Sequence, residues 1–248
     1  MQKDDTSLAR PGDILIAIAL LTRLPVKAEF GRSAQAVWAY PIVGLIVSLI
    51  AGGVTGFALW LNIATPLVAG VWLTSTILLT GAMHEDGLAD CCDGFWGGWS
   101  TNRRLEIMKD SQIGSYGVLA LFLSLGLRWL AIWLLIEAGS WFWPLLAVEV
   151  LSRSFMPVIM LALPHARDAG LSHAQGRPHL NPVILGLAVA TCFALFALGW
   201  DGLKLALLAA MAAFGIAWLA KRKIGGQTGD VLGASQQVTM ITLLMALA

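Results

Sequence analysis

Apolar residues in this chain fall into long continuous runs that are separated by short polar breaks. Because a helix needs about 20 apolar residues to cross the hydrocarbon core of a bilayer, runs of this length predict membrane-spanning helices. The predicted spans are Val37 to Leu61, Ile63 to Met83, Ile113 to Ile136, Trp141 to Leu163, Pro182 to Trp200, Leu203 to Ala220 and Val231 to Ala248. The pattern therefore predicts an all-α, polytopic integral membrane protein of about seven transmembrane helices, with residues 1–248 forming one membrane-embedded domain.

A shorter apolar run, Ile14 to Leu24, precedes the first predicted span. This run is too short to cross a bilayer, and Asp13, Arg23 and Lys27 lie at or beside its ends. These features predict a short N-terminal helix that lies in the membrane interface or enters it partway as a re-entrant segment.

The composition supports the membrane prediction and excludes other classes. Hydrophobic residues make up 58% of the chain and charged residues 12%, against about 25% charged residues in an average soluble domain. The formal net charge of +1 provides no overall field that would attract nucleic acid. Cys91, Cys92 and Cys192 form no CxxC or Cys/His spacing, which argues against a disulfide framework and a structural zinc site.

Basic residues are distributed unequally between the two sides of the predicted bundle. Eleven Lys and Arg residues fall in loops on one side, and Lys204 falls alone on the other. Because basic loops stay in the cytoplasm, we expect the N-terminus inside and the C-terminus outside the cell (inner) membrane. Most polar residues then lie at the cytoplasmic face, where we expect the functional site. Association of identical copies is left open.

An acidic segment follows the second predicted span. Asp86, Asp90 and Asp93 are spaced i, i+4, i+7, which places them on one face of a helix. Three like charges on one face repel each other, and carboxylates are the ligands that Mg²⁺ prefers. The segment therefore predicts a Mg²⁺ site with the three aspartates as metal ligands and catalytic residues, although a solvated acidic face would show the same spacing. His84, on the opposite side of the helix, is a catalytic candidate or an orienting hydrogen-bond partner.

Two further segments carry groups suited to bind phosphate. Arg104, Lys109 and Ser111 precede a predicted helix start, where positive side chains and free backbone N–H groups can hold an anion. A basic membrane anchor with a helix cap is the alternative interpretation of this segment. Thr228 and Gly229 follow a pair of glycines and suit a diphosphate contact, with Asp230 as a further candidate metal ligand. The glycines are not a Walker A loop, because no Gly-Lys-Ser/Thr follows them.

Charged residues also occur inside the predicted spans. Arg128 and Arg153 would be costly in hydrocarbon, so each should face a cavity or a partner. Glu149 precedes Arg153 by four residues, a favourable spacing for an ion pair, and we predict that Arg153 is also available to a substrate phosphate. No partner for Arg128 is visible in the sequence.

Three histidines lie between two of the predicted spans, at His165, His173 and His179. Their spacings fit no simple zinc pattern, so the segment favours contact with substrate or plain solvation over a metal site.

Carboxylates, phosphate-binding groups and a membrane scaffold together predict phosphoryl or diphosphate chemistry assisted by Mg²⁺. A transporter is the non-enzymatic alternative. In a transporter, however, we would expect charged residues dispersed near the middle of broken helices, whereas here they concentrate on one face of the membrane.

Several motifs resemble those of the cobalamin synthase family. They occur in the same order along the chain, from about residue 15 to the end: Thr22 to Pro25, Tyr40 to Gly44, His84 to Gly94, Arg104 to Gly114, Gly225 to Asp230 and the pair Gly233-Ala234. Prenyltransferases of the UbiA type and CDP-alcohol phosphotransferases also place aspartates around Mg²⁺ on membrane helices. The chain lacks the two Asn-Asp-x-x-x-Asp stripes of the first group, and it has Asp90 where the second has Arg.

The resemblance implies an integral membrane enzyme that assembles the nucleotide loop of coenzyme B12. Its substrates would be adenosylcobinamide-GDP and α-ribazole or α-ribazole 5′-phosphate. A ribazole hydroxyl would attack the phosphorus that carries the cobinamide arm, and GMP would leave. The resemblance also implies Mg²⁺ as the cofactor, which Asp86, Asp90 and Asp93 would hold.

Overall fold

The computed structural model describes residues 7–248, and this part of the chain is helical. Its α-helices are α1 (Pro11–Leu21), α2 (Tyr40–Trp60), α3 (Thr65–Thr80), α4 (Met83–Gly97), α5 (Thr101–Ile107), α6 (Ser115–Glu137), α7 (Phe142–Ser154), α8 (Met156–Ala162), α9 (Leu171–Gln175), α10 (Leu180–Leu198), α11 (Trp200–Ile224) and α12 (Gly229–Leu247). Short 3-10 turns lie at Phe30–Arg32 and Ala36–Ala39. The all-α fold is confirmed, and α1 is a short apolar helix, as predicted.

Six helical segments of the described chain are long and apolar enough to cross a membrane. They are Ala36–Trp60, Ser115–Glu137, Phe142–Ala162, Leu180–Leu198, Trp200–Ile224 and Gly229–Leu247. The pair α3 and α4 raises the number to seven if the two helices together form one bent span. The polytopic membrane architecture is therefore confirmed. The second predicted span, Ile63 to Met83, differs from the prediction, because α3 ends at Thr80 and reaches spanning length only together with α4.

The bend between α3 and α4 measures 86° and occurs at two consecutive residues with positive φ. Gly81 has φ 66° and Ala82 has φ 58°, and an α-helix cannot continue through left-handed residues. The backbone N–H of Arg23 donates to the carbonyl of Leu79 at 2.7 Å, which ties the N-terminal segment to this bend. Helix α4, which carries the acidic segment as predicted, therefore begins at this bend and runs at a steep angle to α3.

A second break divides the predicted span Trp141 to Leu163 into α7 and α8. Pro157 lies just after the break, and a proline inside a helix has no N–H to donate and clashes with the carbonyl four residues earlier. The break leaves the last turn of α7, with Arg153, buried inside the bundle.

Helix α4 packs between α12 and α6. Glycines allow the closest approach: a Cβ on Gly87 would lie 2.8 Å from the carbonyl oxygen of Asp230. A Cβ on Gly233 would lie 3.2 Å from the Cα of His84. Two helices come this close only where side chains are absent. The acidic helix and the start of the last helix are thus held together and frame the candidate site.

Candidate active site

Two cavities flank α4, and Asp86 lines both of them. The cavity beside the start of α12, called here the α12 cavity, has a volume of about 160 Å³ and includes His165, Arg167, Thr228 and Asp230. The cavity beside the start of α6, called here the α6 cavity, has a volume of about 490 Å³. It is lined by Asp90, Lys109, Asp110, Ser111 and Gln112, among others. Asp86 is therefore the carboxylate that the two cavities share.

The carboxylates around Asp86 are close enough to interact electrostatically. Asp90 is repelled by Asp230 and by Asp86, and Asp230 is repelled by Asp86. A guanidinium nitrogen of Arg167 lies 3.2 Å from Oδ2 of Asp230 and offsets part of this repulsion. Three acidic groups share one nearby arginine, and a cation bound among them would relieve the remaining repulsion.

Asp93, the third member of the predicted stripe, has a different environment. One carboxylate oxygen accepts the N–H of Gly114 at 2.7 Å, and the other accepts the N–H of Gly117 at 2.9 Å. Asp93 therefore caps the N-terminus of α6, where backbone N–H groups have no partner within the helix. A Cβ on Gly117 would lie 2.4 Å from the carboxylate, so glycine leaves the space that Asp93 occupies. A metal-ligand role for Asp93 stays a prediction.

The described carboxylates around Asp86 do not form a complete metal site by themselves. Among residues 7–248, no group of three or more His, Cys, Asp or Glu side chains is arranged to hold a metal ion. Mg²⁺, however, usually binds through one or two carboxylates and completes its coordination with water and substrate phosphate oxygens. Asp86 with Asp90 or Asp230 offers such a partial ligand set beside both cavities. A diphosphate substrate would supply further ligands.

The predicted phosphate-binding residues divide between the two cavities. Lys109 and Ser111 line the α6 cavity, whereas Thr228 and Gly229 line the α12 cavity. The Thr228 hydroxyl caps α12 by accepting the N–H of Val231 at 3.3 Å, and it donates to Asp230 at 3.2 Å. Arg104 lies outside both cavities. Its Nη1 donates to the carbonyl of Lys223 at 3.0 Å, at the end of α11.

His84 and Arg153 are both buried, each at 1% exposure. His84 lines the α12 cavity, and its Nε2 has no hydrogen-bond partner. Arg153 forms the predicted ion pair with Glu149, which is confirmed, and it also donates to the Glu149 carbonyl at 3.0 Å. Arg153 lies near His84 in the packed interior of the bundle and lines neither of the two cavities around Asp86. The substrate-binding role of Arg153 stays a prediction.

The structure shows a buried polar network that the sequence did not predict. Arg128 pairs with Glu85 at 2.7 Å, and Gln237 joins both side chains. Gln237 also donates to Gln236, which in turn donates to the hydroxyl of Ser152 at 3.1 Å. The sequence feature that could have indicated this network is the adjacent pair Gln236 and Gln237 inside the last predicted span. A polar side chain in a membrane helix needs a hydrogen-bond partner. The network connects α4, α6, α7 and α12.

His165 and His173 come together at the wall of the α12 cavity, with ring centroids 5.2 Å apart. Burial lowers the pKa of His165, and the charges of His173 and Arg177 lower this pKa further. Both effects favour the neutral form of the His165 ring. The sequence analysis allowed either substrate contact or solvation for the three histidines of this segment. In the structure, His165 and His173 line the cavity, whereas His179 is exposed and lies outside it.

Fold and site together define a polytopic membrane protein with an acidic site between its helices. Residues 13–248 match the model of the cobalamin-5-phosphate synthase family. The chain belongs to this family. Its relatives include proteins named adenosylcobinamide-GDP ribazoletransferase from Bradyrhizobium diazoefficiens, 43% identical over 95% of this chain and 93% of the relative, and from Mesorhizobium japonicum, 41% identical over 94% and 91%. No solved structure matches the chain.

Proposed function

We propose that this protein joins adenosylcobinamide-GDP to α-ribazole or α-ribazole 5′-phosphate and releases GMP, the step that assembles the nucleotide loop of coenzyme B12. The family match across residues 13–248 and the names of the relatives support this transfer. The structural observation that carries the proposal is the position of Asp86 between two separate cavities. A transferase that joins two substrates needs two binding regions that meet at the reacting atoms.

The reaction makes one bond to phosphorus and breaks another. A hydroxyl oxygen of α-ribazole attacks the phosphorus that carries the cobinamide arm, and the bond between this phosphorus and the GMP oxygen breaks. GMP leaves with the bonding electrons, and the hydroxyl proton passes to a base or to water. The transition state spreads negative charge over the phosphate oxygens, so catalysis depends on positioning and on nearby positive groups.

Residues of both cavities suit this chemistry. Lys109 and Ser111 offer a charge and a hydroxyl to the diphosphate from the α6 side. Thr228 and Gly229 offer the N-terminus of α12 from the other side, where the helix dipole favours an anion. We propose that Asp86 and Asp90, with Asp230, hold Mg²⁺. When bound there, the ion would neutralise diphosphate charge and stabilise GMP as it leaves.

We further propose that the protein is embedded in the cell inner membrane with the site facing the cytoplasm. The excess of basic residues on one side of the bundle supports this orientation. It would also place the site where nucleotide substrates are available. Whether identical copies associate is a separate proposal that bears on none of the site residues.

Identification of the product tests the proposed function. Purified protein in lipid is supplied with Mg²⁺, adenosylcobinamide-GDP and α-ribazole, and the products are separated and weighed by mass spectrometry. We expect adenosylcobalamin and GMP in equal amounts, and no turnover when a CDP-alcohol or a prenyl diphosphate replaces adenosylcobinamide-GDP. Release of CMP from the CDP-alcohol, or transfer of the prenyl group, without formation of adenosylcobalamin would contradict the proposal.

A further inference from the structure

The α12 cavity is lined by apolar and by polar side chains. The apolar ones, called here the apolar wall, come from α1, α8 and α12: Leu20, Leu21, Met156, Met160 and Leu232. Hydrogen-bonding side chains also line the cavity, among them His165, His173 and Thr228. A cavity of this kind suits a molecule with a flat apolar part and a polar part, because each part then meets a wall of matching polarity.

His165 is held in place through its backbone. The N–H of Gln227 donates to the carbonyl of Pro164 at 2.8 Å, and the N–H of Ala166 donates to the carbonyl of Gln227 at 2.9 Å. The two segments approach this closely at Gly226, where a Cβ would lie 2.3 Å from the Pro164 carbonyl oxygen. The position of His165 at the cavity wall is thus fixed to the start of α12.

The side chain of His165 is fixed as well. The amide nitrogen of Gln227, a residue only 1% exposed, lies 2.9 Å from Nδ1 of His165. The hydroxyl of Ser172 donates to the amide oxygen of Gln227 at 2.6 Å, which orients the amide with its NH₂ group toward the ring. Because an amide NH₂ group donates, Nδ1 accepts, and the proton of the neutral ring is on Nε2. His165 therefore presents an N–H donor.

We propose that the α12 cavity is the binding site for α-ribazole, with the benzimidazole ring against the apolar wall and Nε2 of His165 donating a hydrogen bond to the ribose portion. The proposal rests on the proposed function and assigns one of its two substrates to one of the two cavities. Asp86 at the border of the cavities then lies beside the attacking hydroxyl, with the diphosphate of the other substrate entering from the α6 side.

The chemistry of the walls favours α-ribazole over the guanine of the other substrate. The benzimidazole carries methyl groups at its outer edge, which gain from an apolar surface. The edge of guanine carries several donors and acceptors, which would lose their hydrogen bonds to water against the side chains of Leu20, Met156 and Met160. The larger α6 cavity, with Lys109 and Ser111, suits the diphosphate arm of adenosylcobinamide-GDP.

A larger side chain in the apolar wall reduces the volume of the cavity and so tests the assignment. The measurement is steady-state kinetics with each substrate varied in turn. Leu20→Trp adds volume to the α12 cavity from helix α1, where Leu20 is only partly buried. Leu15→Trp, on the same helix but 45% exposed and outside the cavity, is the matched control. We expect Leu20→Trp to raise KM for α-ribazole roughly tenfold or more, and to leave KM for adenosylcobinamide-GDP within about twofold. The control should change neither.

Removing the donor tests the role of His165. His165→Phe keeps a ring without the N–H and should weaken binding of α-ribazole roughly tenfold, the value of one hydrogen bond. His165→Gln, which keeps an N–H donor, should restore part of the loss, and the exposed His179→Phe should cause none. Titration calorimetry with α-ribazole alone measures the loss of affinity directly, because no turnover occurs without the second substrate.

The assignment is overturned if the Leu20 and His165 variants raise KM for adenosylcobinamide-GDP instead, or if neither variant changes KM for α-ribazole. Its failure is distinguishable from failure of the proposed function. Wild-type protein that forms adenosylcobalamin while these variants bind α-ribazole normally would leave the reaction intact and refute only the cavity assignment. Wild-type protein that forms no product would refute the proposed function itself.

Discussion

Arg128 donates from a single nitrogen, Nη1, to Glu85 and to Gln237, at 2.7 Å in both cases. The Arg128 and Glu85 side chains are 2% and 8% exposed, so the ion pair is almost completely buried. Glu85 directly precedes Asp86 on α4, and Gln237 lies on α12, while Arg128 belongs to α6. Arg128, Glu85 and Gln237 together therefore join α6, α4 and α12.

Breaking this ion pair should destabilise the protein strongly. Arg128→Met leaves the Glu85 carboxylate buried without its cation, which costs about 3 to 5 kcal/mol for a pair of this kind. We expect a lower Tm in detergent, measured by thermal unfolding. The double variant Arg128→Met with Glu85→Gln should lose less than the sum of the single losses, because no charge is left unpaired.

Arg103→Met is the matched control for a charged pair at the surface. Arg103 pairs with Glu106 at 3.1 Å, and both side chains are about two-thirds exposed, at 64% and 65%. The Tm of Arg103→Met should stay near that of the wild type, since exposed ion pairs contribute little to the free energy of unfolding. If Arg128→Met unfolded at the wild-type temperature, the pair would not hold the helices together.

The cap that Asp93 provides can be tested through the glycine beside it. Gly117→Ala adds a Cβ 2.4 Å from the Asp93 carboxylate, so the carboxylate must move away from the N-terminus of α6. We expect a loss of about 1 to 2 kcal/mol, the range for a lost helix cap. Gly126→Ala, in the same helix with no atom within 4 Å of the new Cβ, should be neutral or slightly stabilising. Equal Tm values for the two variants would argue against the cap.

Asp86 and Asp90 should affect turnover more than folding. Asn at either position keeps the size of the side chain and removes a charge from a repulsive group, so the Tm should not fall. Turnover should drop by orders of magnitude and recover partly at high Mg²⁺, and the double variant should lose far less than the product of the single losses. Asp93→Asn is expected to lower Tm as well, since its amide would face backbone N–H groups. Full turnover of the Asp86 and Asp90 variants at low Mg²⁺ would refute the metal assignment.

The orientation in the membrane is open to a labelling experiment. Lys204→Cys should react with a membrane-impermeant maleimide added to whole cells, whereas Lys221→Cys should react only after the cells are opened. Both lysines lie at exposed positions near opposite ends of α11. Since Cys192 is exposed in the structure, the parent protein provides the background signal. Reversed labelling would contradict the cytoplasmic placement of the site.

Features encoded by local spacing could be predicted from the sequence. Runs of apolar residues predicted the spanning helices, because their length alone meets the thickness of the bilayer. The pair Glu149 and Arg153 was predicted because both residues lie on one helix, one turn apart. The helical register of Asp86 and Asp90 was predicted for the same reason, although the 86° bend that separates their helix from α3 was not.

Contacts between distant residues could not be predicted in this way. Arg128 meets Glu85 across 43 positions of the chain, and His165 meets Gln227 across 62. Each contact depends on which helix faces pack against each other, and many side chains together determine that packing. The cap on α6 illustrates this point, because Asp93 lies in sequence with two aspartates that line cavities, yet it turns to the N–H groups of another helix.

The most direct test of the central claim is GMP release by purified protein in lipid. Adenosylcobinamide-GDP and Mg²⁺ are supplied with and without α-ribazole, for the wild type and for Asp86→Asn. The proposed function predicts that the wild type releases GMP only when α-ribazole is present and that Asp86→Asn, with an unchanged Tm, releases almost none. GMP release that does not depend on α-ribazole, or that persists unchanged in Asp86→Asn, would contradict the assignment of this site to the transfer.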